Sequence, residues 1–452
     1  MDPVETAGQL PHWLRFLTLQ DANVRWVLFG SILLGAGSGV LGCFAFLRKQ
    51  ALLGDALAHA ALPGVCLSFM VFQSKNPAVL LLGAMVTGWL ALRAIQVSVQ
   101  HTRIKEDTAL ALVLSTFFAA GIVLLTRIQQ SGAASQAGLD KFLFGQAAGL
   151  VEHDVIVLGG LALALVAAVV LAFKEFKVCA FDAGYAETIG INVKLVDGLL
   201  AILIVAAVGI GLAAVGVVLM AAMLVTPAAA ARYWTDRLSR MVLLAGLFGA
   251  LSGALGTFVS FLAPRMPTGP WMVSSVTAIF AVSLVAAPRR GLVARGLLHW
   301  RNRRRTAEEN LLTTLYRLGE QGVASTWPLR ELAERRALKP GTARRTLRRL
   351  EGQGLVLGTS AGAEAAAGGS VWRLTAAGQA RAARLIRLHR LWEIYLTERL
   401  RLPVDHVHGD AEDVEHFLTP ELEAELERIL ERPQLDPHGR PIPYPDVVSE
   451  GP

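Results

Sequence analysis

Charged residues are scarce in the first part of this 452-residue sequence, where long apolar runs take their place. Asp, Glu, Lys and Arg make up 17% of the chain, but from Arg289 onward the sequence becomes rich in Arg, Glu and Leu. A soluble domain does not carry repeated apolar runs of about 20 residues, the length that a helix needs to cross a bilayer. We therefore expect a polytopic membrane protein up to about Val285, followed by a soluble part.

Cysteine is also scarce, and sequence features typical of enzymes are missing. The three cysteines, Cys43, Cys66 and Cys179, form no Cys-x-x-Cys pair and are interpreted as small buried residues. The sequence has no Gly-x-x-x-x-Gly-Lys-(Ser/Thr) phosphate loop and no nucleophile–base set. An enzyme is therefore not expected, and any ATP hydrolysis belongs to a separate chain. Residues 1–20 lack the basic start and apolar core of a cleavable signal peptide.

Nine apolar runs predict nine transmembrane helices, because a helix satisfies its own backbone hydrogen bonds and lipid cannot. They cover residues 22–47, 51–73, 77–98, 107–127, 153–173, 195–212, 214–232, 240–262 and 271–288. Lys and Arg concentrate in alternate connections, which predicts an external N-terminus and a cytoplasmic C-terminal part in the cell membrane. If residues 195–232 form one long broken element, the number of spans is eight.

Small residues are dense in two of these runs, at residues 35–39 (Gly-Ala-Gly-Ser-Gly) and 249–253 (Gly-Ala-Leu-Ser-Gly). Small faces allow helices to approach closely in lipid, where the hydrophobic effect does not drive helix association. They predict an all-α membrane bundle rather than separate anchors.

Two ionisable residues, Asp55 and His59, lie inside the second run. Their spacing of four places them on one face of a helix. A carboxylate and an imidazole suit manganese, zinc or ferrous iron, and an ionisable residue within a span is by default a candidate for function. The alternative is an Asp–His pair that only stabilises packing, or one at the membrane edge. Two ligands do not complete a metal site, so others must come from elsewhere.

The membrane part resembles the ABC-3 family of metal-uptake permeases, which import manganese, zinc or iron. The resemblance rests on Gly-Asp-Ala-Leu-Ala-His-Ala-Ala-Leu-Pro-Gly at 54–64, and on matches within 181–191, 215–232 and 267–270, in the expected order. It implies a fold like that of type II ABC importers and a translocation path in which Asp55 and His59 contact Mn²⁺, Zn²⁺ or Fe²⁺.

The same resemblance implies partners for the chain. The segment 175–194 would contain the coupling helix that docks on a separate ATPase subunit, with Asp182, Glu187 and Gly190 at or near the contact. A second permease subunit, identical or sister, and an extracytoplasmic metal-binding protein are also implied. The alternative for 175–194 is an ordinary solvated loop.

The soluble part contains two short predicted helices at 328–336 and 340–353, joined by a turn. Such a pair, with a strongly basic second helix, is typical of a helix-turn-helix that binds DNA through phosphates and guanine edges. The alternative is a solvated basic helix without a DNA partner. The candidate DNA-binding residues are Thr342, Arg344, Arg345, Arg348 and Arg349.

Residues 307–443 resemble the iron-dependent repressors, which include the diphtheria toxin repressor and the manganese transport regulator. Matching stretches include Leu-Glu-Gly-Gln-Gly-Leu-Val at 350–356, His-Arg-Leu-Trp-Glu at 389–393 and Pro-His-Gly-Arg-Pro-Ile-Pro at 437–443. The resemblance implies a winged helix, with 358–372 as a hairpin, followed by a helical metal-sensing and dimerisation domain.

The resemblance also implies ligands for a regulatory metal, although Asn310 and Thr313 stand where the family places ligands. That departure weakens the case for a full regulatory site, and a charged, solvated helix face is the alternative. The implied ligands are His389, Glu393 and His408 in one group, and Glu412, Glu415 and His416 in the other.

These observations predict a permease of an ATP-driven metal importer fused to a cytoplasmic metal-responsive domain. The alternative is a membrane-anchored, metal-dependent DNA-binding regulator. The sequence does not distinguish the metal, a homodimeric from a heterodimeric permease, or DNA binding from metal sensing alone. The expected segments are an external one at 1–21, the permease at 22–288, a basic linker at 289–305, the winged helix-turn-helix at 306–378, the helical domain at 379–443 and a tail at 444–452.

Overall fold

A computed structural model of the chain describes residues 12–19, 21–48, 51–74, 76–130, 152–262, 266–322, 326–359, 370–400 and 420–444. The chain divides into two compact units, one up to Arg295 and one from Gly296 onward. Each unit is described by itself.

The first unit consists of helices. They are α1 (His12–Leu17), α2 (Ala22–Leu47), α3 (Ala51–Phe72), α4 (Pro77–His101), α5 (Glu106–Gln130), α6 (Glu152–Leu171), α7 (Phe173–Phe181), α8 (Ala183–Thr188), α9 (Val193–Ala214), α10 (Val217–Trp234), α11 (Leu238–Leu262) and α12 (Thr268–Ala286). Each of the nine predicted apolar runs coincides with one of these helices, from α2 to α12.

The number of membrane crossings stays a prediction. Within the described residues, seven helices are long and apolar enough to cross a membrane. The number rises to eight if α6 and α7, which are bent by 65° at Ala172, form one span. The predicted break between the sixth and seventh runs is present, because α9 ends at Ala214 and α10 begins at Val217. Gly216 between them has φ +90°, a conformation that favours glycine and interrupts a helix.

The small residues at 35–39 and 249–253 bring α2 and α11 into backbone contact. A Cβ atom added to Gly249 would lie 1.9 Å from the carbonyl oxygen of Gly35, and one added to Gly35 would lie 2.1 Å from that of Gly249. A turn further along, the Cβ position of Gly39 is 2.3 Å from the Ala245 carbonyl oxygen. The predicted close packing is confirmed at the positions that predicted it, and it forms one seam of the bundle.

The helix α3 lies between α4 and α5 and contacts both through glycine. The Cβ position of Gly64 is 2.1 Å from the carbonyl oxygen of Gly83 in α4, and that of Gly121 in α5 is 2.8 Å from the Leu62 side chain. Leu57, Leu62 and most of their neighbours in α3 are fully buried. The helix that carries Asp55 and His59 is therefore a central element of the bundle.

The second unit begins within the first turns of a long helix and contains a small sheet. Its elements are α13 (Leu292–Glu320), β1 (Trp327–Pro328), α14 (Leu329–Arg335), α15 (Pro340–Gly352), β2 (Val356–Thr359), β3 (Val371–Leu374), α16 (Ala376–Glu398) and α17 (Pro420–Ile429). The antiparallel sheet has the order β1-β3-β2, with Trp327 opposite Trp372 and Val356 opposite Leu374.

The predicted elements of this unit are largely confirmed. Both helices of the predicted pair are present as α14 and α15, and the strands of the predicted hairpin are β2 and β3. The core joins Leu311, Leu332, Leu347 and Trp372 from four elements. The helix expected from residue 307 begins at Leu292 instead, because the Arg- and Leu-rich segment before it consists mainly of good helix formers. The predicted hairpin tip and the predicted helix at 410–417 lie outside the described residues.

We expect Gly249→Ala to destabilise the membrane unit, because its methyl group meets the Gly35 backbone and neither helix can yield without moving. Overpacking of this kind costs about 1–3 kcal/mol. The thermal unfolding temperature of the purified chain in detergent measures the effect. Gly160→Ala in α6 is the matched control, since nothing lies within 4 Å of its Cβ position. Equal unfolding temperatures for the two variants would show that the α2–α11 contact is dispensable.

Candidate metal sites

Asp55 and His59 share one face of α3, as their spacing predicted. The Nε2 atom of His59 lies 3.5 Å from Oδ1 of Asp55, and the two side chains are 14% and 36% exposed, respectively. Normal N–H···O hydrogen bonds are about 2.7–3.2 Å long, so this contact is longer than a normal hydrogen bond. The pair can therefore take up a cation between its atoms without first breaking a strong bond.

The imidazole of His59 is held mainly by packing. The ring of Phe118, in α5, makes an edge-to-face contact with it, with ring centroids 4.7 Å apart and planes at 79°. The other ring nitrogen, Nδ1, is buried and has no hydrogen-bond partner among the described residues. Most metal-binding histidines in proteins donate their second ring N–H to a carbonyl or carboxylate. His59 differs from them in this respect.

The predicted coupling segment forms two short helices. Asp182 follows α7 and caps α8, because its Oδ1 accepts a hydrogen bond of 2.9 Å from the backbone N–H of Tyr185. Gly190 has φ +86°, which allows the turn from α8 towards α9. Three apolar or aromatic side chains around this turn are at least half exposed to solvent, those of Phe181, Tyr185 and Ile189. Asp182 and Gly190 thus shape the segment, while Glu187 lies on its surface.

In the second unit, His389 and Glu393 are brought together on α16, as predicted. Nε2 of His389 lies 3.2 Å from Oε1 of Glu393, and both side chains are buried. The fold adds two residues that the sequence analysis did not propose as ligands, Asp436 and His438. One ligand atom from each of Glu393, Asp436 and His438 lies within 4.8 Å of the others. These three side chains could therefore hold a metal ion.

A tight turn places Asp436 and His438. Oδ1 of Asp436 accepts hydrogen bonds from the backbone N–H groups of His438, at 2.9 Å, and Arg440, at 2.7 Å. Gly439, at φ +77°, completes the turn. Part of the signal was present in the sequence, because His438 lies in the stretch 437–443 that contributed to the family resemblance, but neither it nor the preceding Asp436 was interpreted as a ligand.

A buried arginine adjoins this carboxylate cluster. Nε of Arg390 lies 3.6 Å from Oδ2 of Asp436, and its two terminal nitrogens donate to both carboxylate oxygens of Glu320, at 3.1 and 2.8 Å. The side chain is 3% exposed. Its charge offsets part of the negative charge that Glu393 and Asp436 bring into the interior.

The remaining predicted regulatory ligands, His408, Glu412, Glu415 and His416, lie outside the described residues. The two residues that depart from the family pattern are described. Oδ1 of Asn310 is buried without a hydrogen-bond partner among the described residues, and the Thr313 hydroxyl accepts from Arg336 at 3.3 Å. Thr313 therefore contacts a protein cation.

The basic helix α15 presents most of its predicted DNA-binding residues to solvent. Thr342, Arg344, Arg345 and Arg348 are exposed, and within the described part of the chain none of these arginines forms an ion pair. Arg349 differs, because its terminal nitrogen donates to Glu308 of α13 at 3.0 Å. It fastens α15 to α13, whereas the other three arginines are free to contact an anionic partner.

Two family profiles match the chain, one in each unit. Residues 20–287 match the ABC 3 transport family, and residues 375–444 match the iron dependent repressor, metal binding and dimerisation domain. The second match contains His389, Glu393, Asp436 and His438.

Similarity to individual proteins covers the same regions. The manganese transport system membrane protein MntC of Bacillus subtilis is 44% identical over 387 residues, which are 86% of this chain and 87% of that protein. The zinc transport system membrane protein TroC of Treponema pallidum is 40% identical over 284 residues, or 63% of this chain and 94% of that protein. The structure of PsaBC from Streptococcus pneumoniae in complex with Fab aligns with a TM-score of 0.56 at 31% identity, covering 61% of this chain and 97% of that one.

These matches, together with the helical bundle and the carboxylate–imidazole pair on α3, show that the chain belongs to the ABC 3 transport family of metal permeases and carries a C-terminal domain of the iron-dependent repressor family.

Proposed function

We propose that this permease carries a divalent transition metal along a path in which Asp55 and His59 contact the ion. The observation that supports this proposal best is the pair itself, a carboxylate and an imidazole 3.5 Å apart on a central helix of the bundle. Ionisable groups are costly inside a membrane, so a pair of them on such a helix calls for a function.

The chemistry of the pair suits a transient site. Carboxylate oxygen and imidazole nitrogen are ligands for Mn²⁺, Zn²⁺ and Fe²⁺. Conduction requires binding that is favourable enough for the ion to enter and weak enough for it to leave. Two protein ligands, with water or another subunit completing the shell, meet that requirement better than a closed four-ligand site. The cargo of two relatives, manganese and zinc, makes these the first ions to test.

Energy for transport would come from a separate ATPase chain that docks on α8 and its flanking turns. Asp182 keeps this short helix capped, and the exposed Phe181, Tyr185 and Ile189 offer apolar surface for the contact. A second permease subunit and an extracytoplasmic metal-binding protein complete the proposed importer.

We further propose that the second unit lies in the cytoplasm and binds a regulatory metal through Glu393, Asp436 and His438, beside His389. Oxygen and imidazole ligands are again those that Mn²⁺ and Zn²⁺ accept. Two buried carboxylates so close together repel each other, and a divalent cation between them would relieve that repulsion. Metal uptake and metal sensing would thus be joined in one chain.

A second candidate function is metal-dependent DNA binding by the second unit, as a winged helix. The observation in its favour is the set of exposed arginines on α15 that form no ion pair within the described residues, Arg344, Arg345 and Arg348. Arginines in such a position can contact phosphates and guanine edges.

For the transport path, we expect His59→Ala or Asp55→Ala to abolish uptake of the cargo metal, because either change leaves the ion with one ligand on α3. Accumulation of Mn²⁺, Zn²⁺ and Fe²⁺ would be measured in cells that express the chain with its partner subunits, at equal membrane abundance. His101→Ala is the control, since that histidine lies exposed at the end of α4. Normal uptake of all three metals by His59→Ala would remove this residue from the path.

For the regulatory site, we expect the double variant Asp436→Ala/His438→Ala to bind one Mn²⁺ fewer per chain than its parent. The parent would carry His59→Ala, so that the membrane pair does not contribute. Equilibrium dialysis of the purified chain with metal analysis gives the count. Glu425→Gln, on the exposed side of α17, serves as control. An unchanged count in the double variant would refute the site.

For DNA binding, we expect Arg344→Ala/Arg345→Ala to abolish any Mn²⁺-dependent retention of a promoter fragment by the purified chain. The loss is expected because the two guanidinium groups would contact DNA phosphates. The contribution of such contacts to DNA affinity falls as the salt concentration increases. Gel-shift titrations at two salt concentrations measure it. Absence of specific retention by the unaltered chain would leave sensing alone as the role of this unit.

A further inference from the structure

Phe118 of α5 contacts the histidine of the candidate ion-binding pair. Its ring meets the His59 imidazole edge to face, at 4.7 Å between centroids. The sequence offers no sign of this contact, because Phe118 belongs to an apolar span of ordinary composition, 59 residues further along the chain. Packing alone places it there.

The rest of the α3–α5 interface fixes the position of the Phe118 backbone. Gly121, one turn further along α5, allows α5 to pack directly on Leu62, one turn beyond His59 on α3. A turn beyond that, the Cys66 thiol contacts the Gly121 carbonyl oxygen at 3.8 Å. The two helices therefore pack closely around His59 through contacts that do not involve the Phe118 ring.

The imidazole lacks the usual means of holding its orientation. Its Nδ1 atom is buried without a hydrogen-bond partner in the described part of the chain, and its Nε2 contact to Asp55 is long. Without a hydrogen bond, a histidine ring turns easily about its Cβ–Cγ bond, since this torsion has a broad energy profile. An aromatic edge against the ring limits that rotation and favours one orientation.

We propose that Phe118 is a positioning residue for transport, which holds the His59 imidazole so that Nε2 stays on the Asp55 side of α3, ready for the ion. This inference rests on the proposed role of Asp55 and His59. An orienting contact through packing keeps the ligand in place without the added basicity that a hydrogen bond to Nδ1 would confer. The ion then meets a preset ligand that still releases it.

The test measures Mn²⁺ binding to the purified full chain by the electron paramagnetic resonance signal of the free ion. All variants carry Asp436→Ala/His438→Ala, so that the cluster of the second unit does not contribute. Phe118→Leu keeps an apolar side chain but removes the aromatic ring, and Phe118→Tyr keeps the ring. Phe117→Leu is the matched control, because Phe117 is also half-buried in α5 but makes no ring contact with His59.

We expect Phe118→Leu to raise the dissociation constant for Mn²⁺ by about threefold to tenfold, the range that loss of an aromatic pair predicts. Phe118→Tyr and Phe117→Leu should stay within about twofold of the parent, within the scatter of a peripheral change. Thermal unfolding of the two leucine variants, measured in parallel, separates general loosening of α5 from a local effect on His59.

His59→Ala in the same series separates a failure of the proposed transport site from a failure of the positioning role of Phe118. If His59→Ala binds Mn²⁺ like the parent, the proposed transport site is wrong and the role of Phe118 is refuted with it. If His59→Ala loses binding while Phe118→Leu and Phe117→Leu share one dissociation constant, the transport site stands and the positioning role alone is overturned. Weaker binding by Phe118→Leu, restored in Phe118→Tyr, supports the inference.

Discussion

The absence of water from the bilayer core is the constraint on which the first unit depends. Backbone groups must be satisfied within each helix, and apolar side chains gain nothing by leaving lipid for one another. Association of the helices therefore rests on close contact, which the paired glycines of α2 and α11 and those of α3 and α4 permit. The same constraint makes ionisable residues such as Asp55 and His59 costly within a membrane, which is the physical basis of the role proposed for them.

The Asp55–His59 pair of the first unit and the buried Glu423 of the second are held in different ways. In the second unit, Glu423 is held by Arg384 and Arg387, and Arg390 by Glu320. Burial by itself raises the pKa of the Glu423 carboxyl, but the hydrogen bonds from the two arginines outweigh it and lower the pKa below its usual range. In the first unit, the Asp55–His59 pair is left loosely connected. A loose pair suits an ion in transit, whereas a matched network suits a fixed domain.

Much of the architecture could be predicted, because it follows from local patterns. Each apolar run became a helix, and the basic pair of short helices and the strands of the hairpin appeared where expected. The start of α13 was misplaced by about four helical turns, since a basic, Leu-rich segment is compatible with both a linker and a helix. The boundary between α9 and α10 was the ambiguous point of the predicted span count. In the structure, the helix is interrupted at Gly216, whose φ is positive.

By itself, the sequence determined the division into a first part with long apolar runs and a second part rich in charged residues, the candidate pair on α3 and the two family resemblances. These depend on composition, on spacing within one helix and on contiguous motifs, all of which are local. Tertiary structure decided which distant residues meet. It places Asp436 and His438 beside Glu393. It also pairs Arg349 with Glu308 and packs the Phe118 ring against His59. The physical reason is that contacts between elements depend on how whole faces pack, and no short stretch of sequence encodes its partner across the fold.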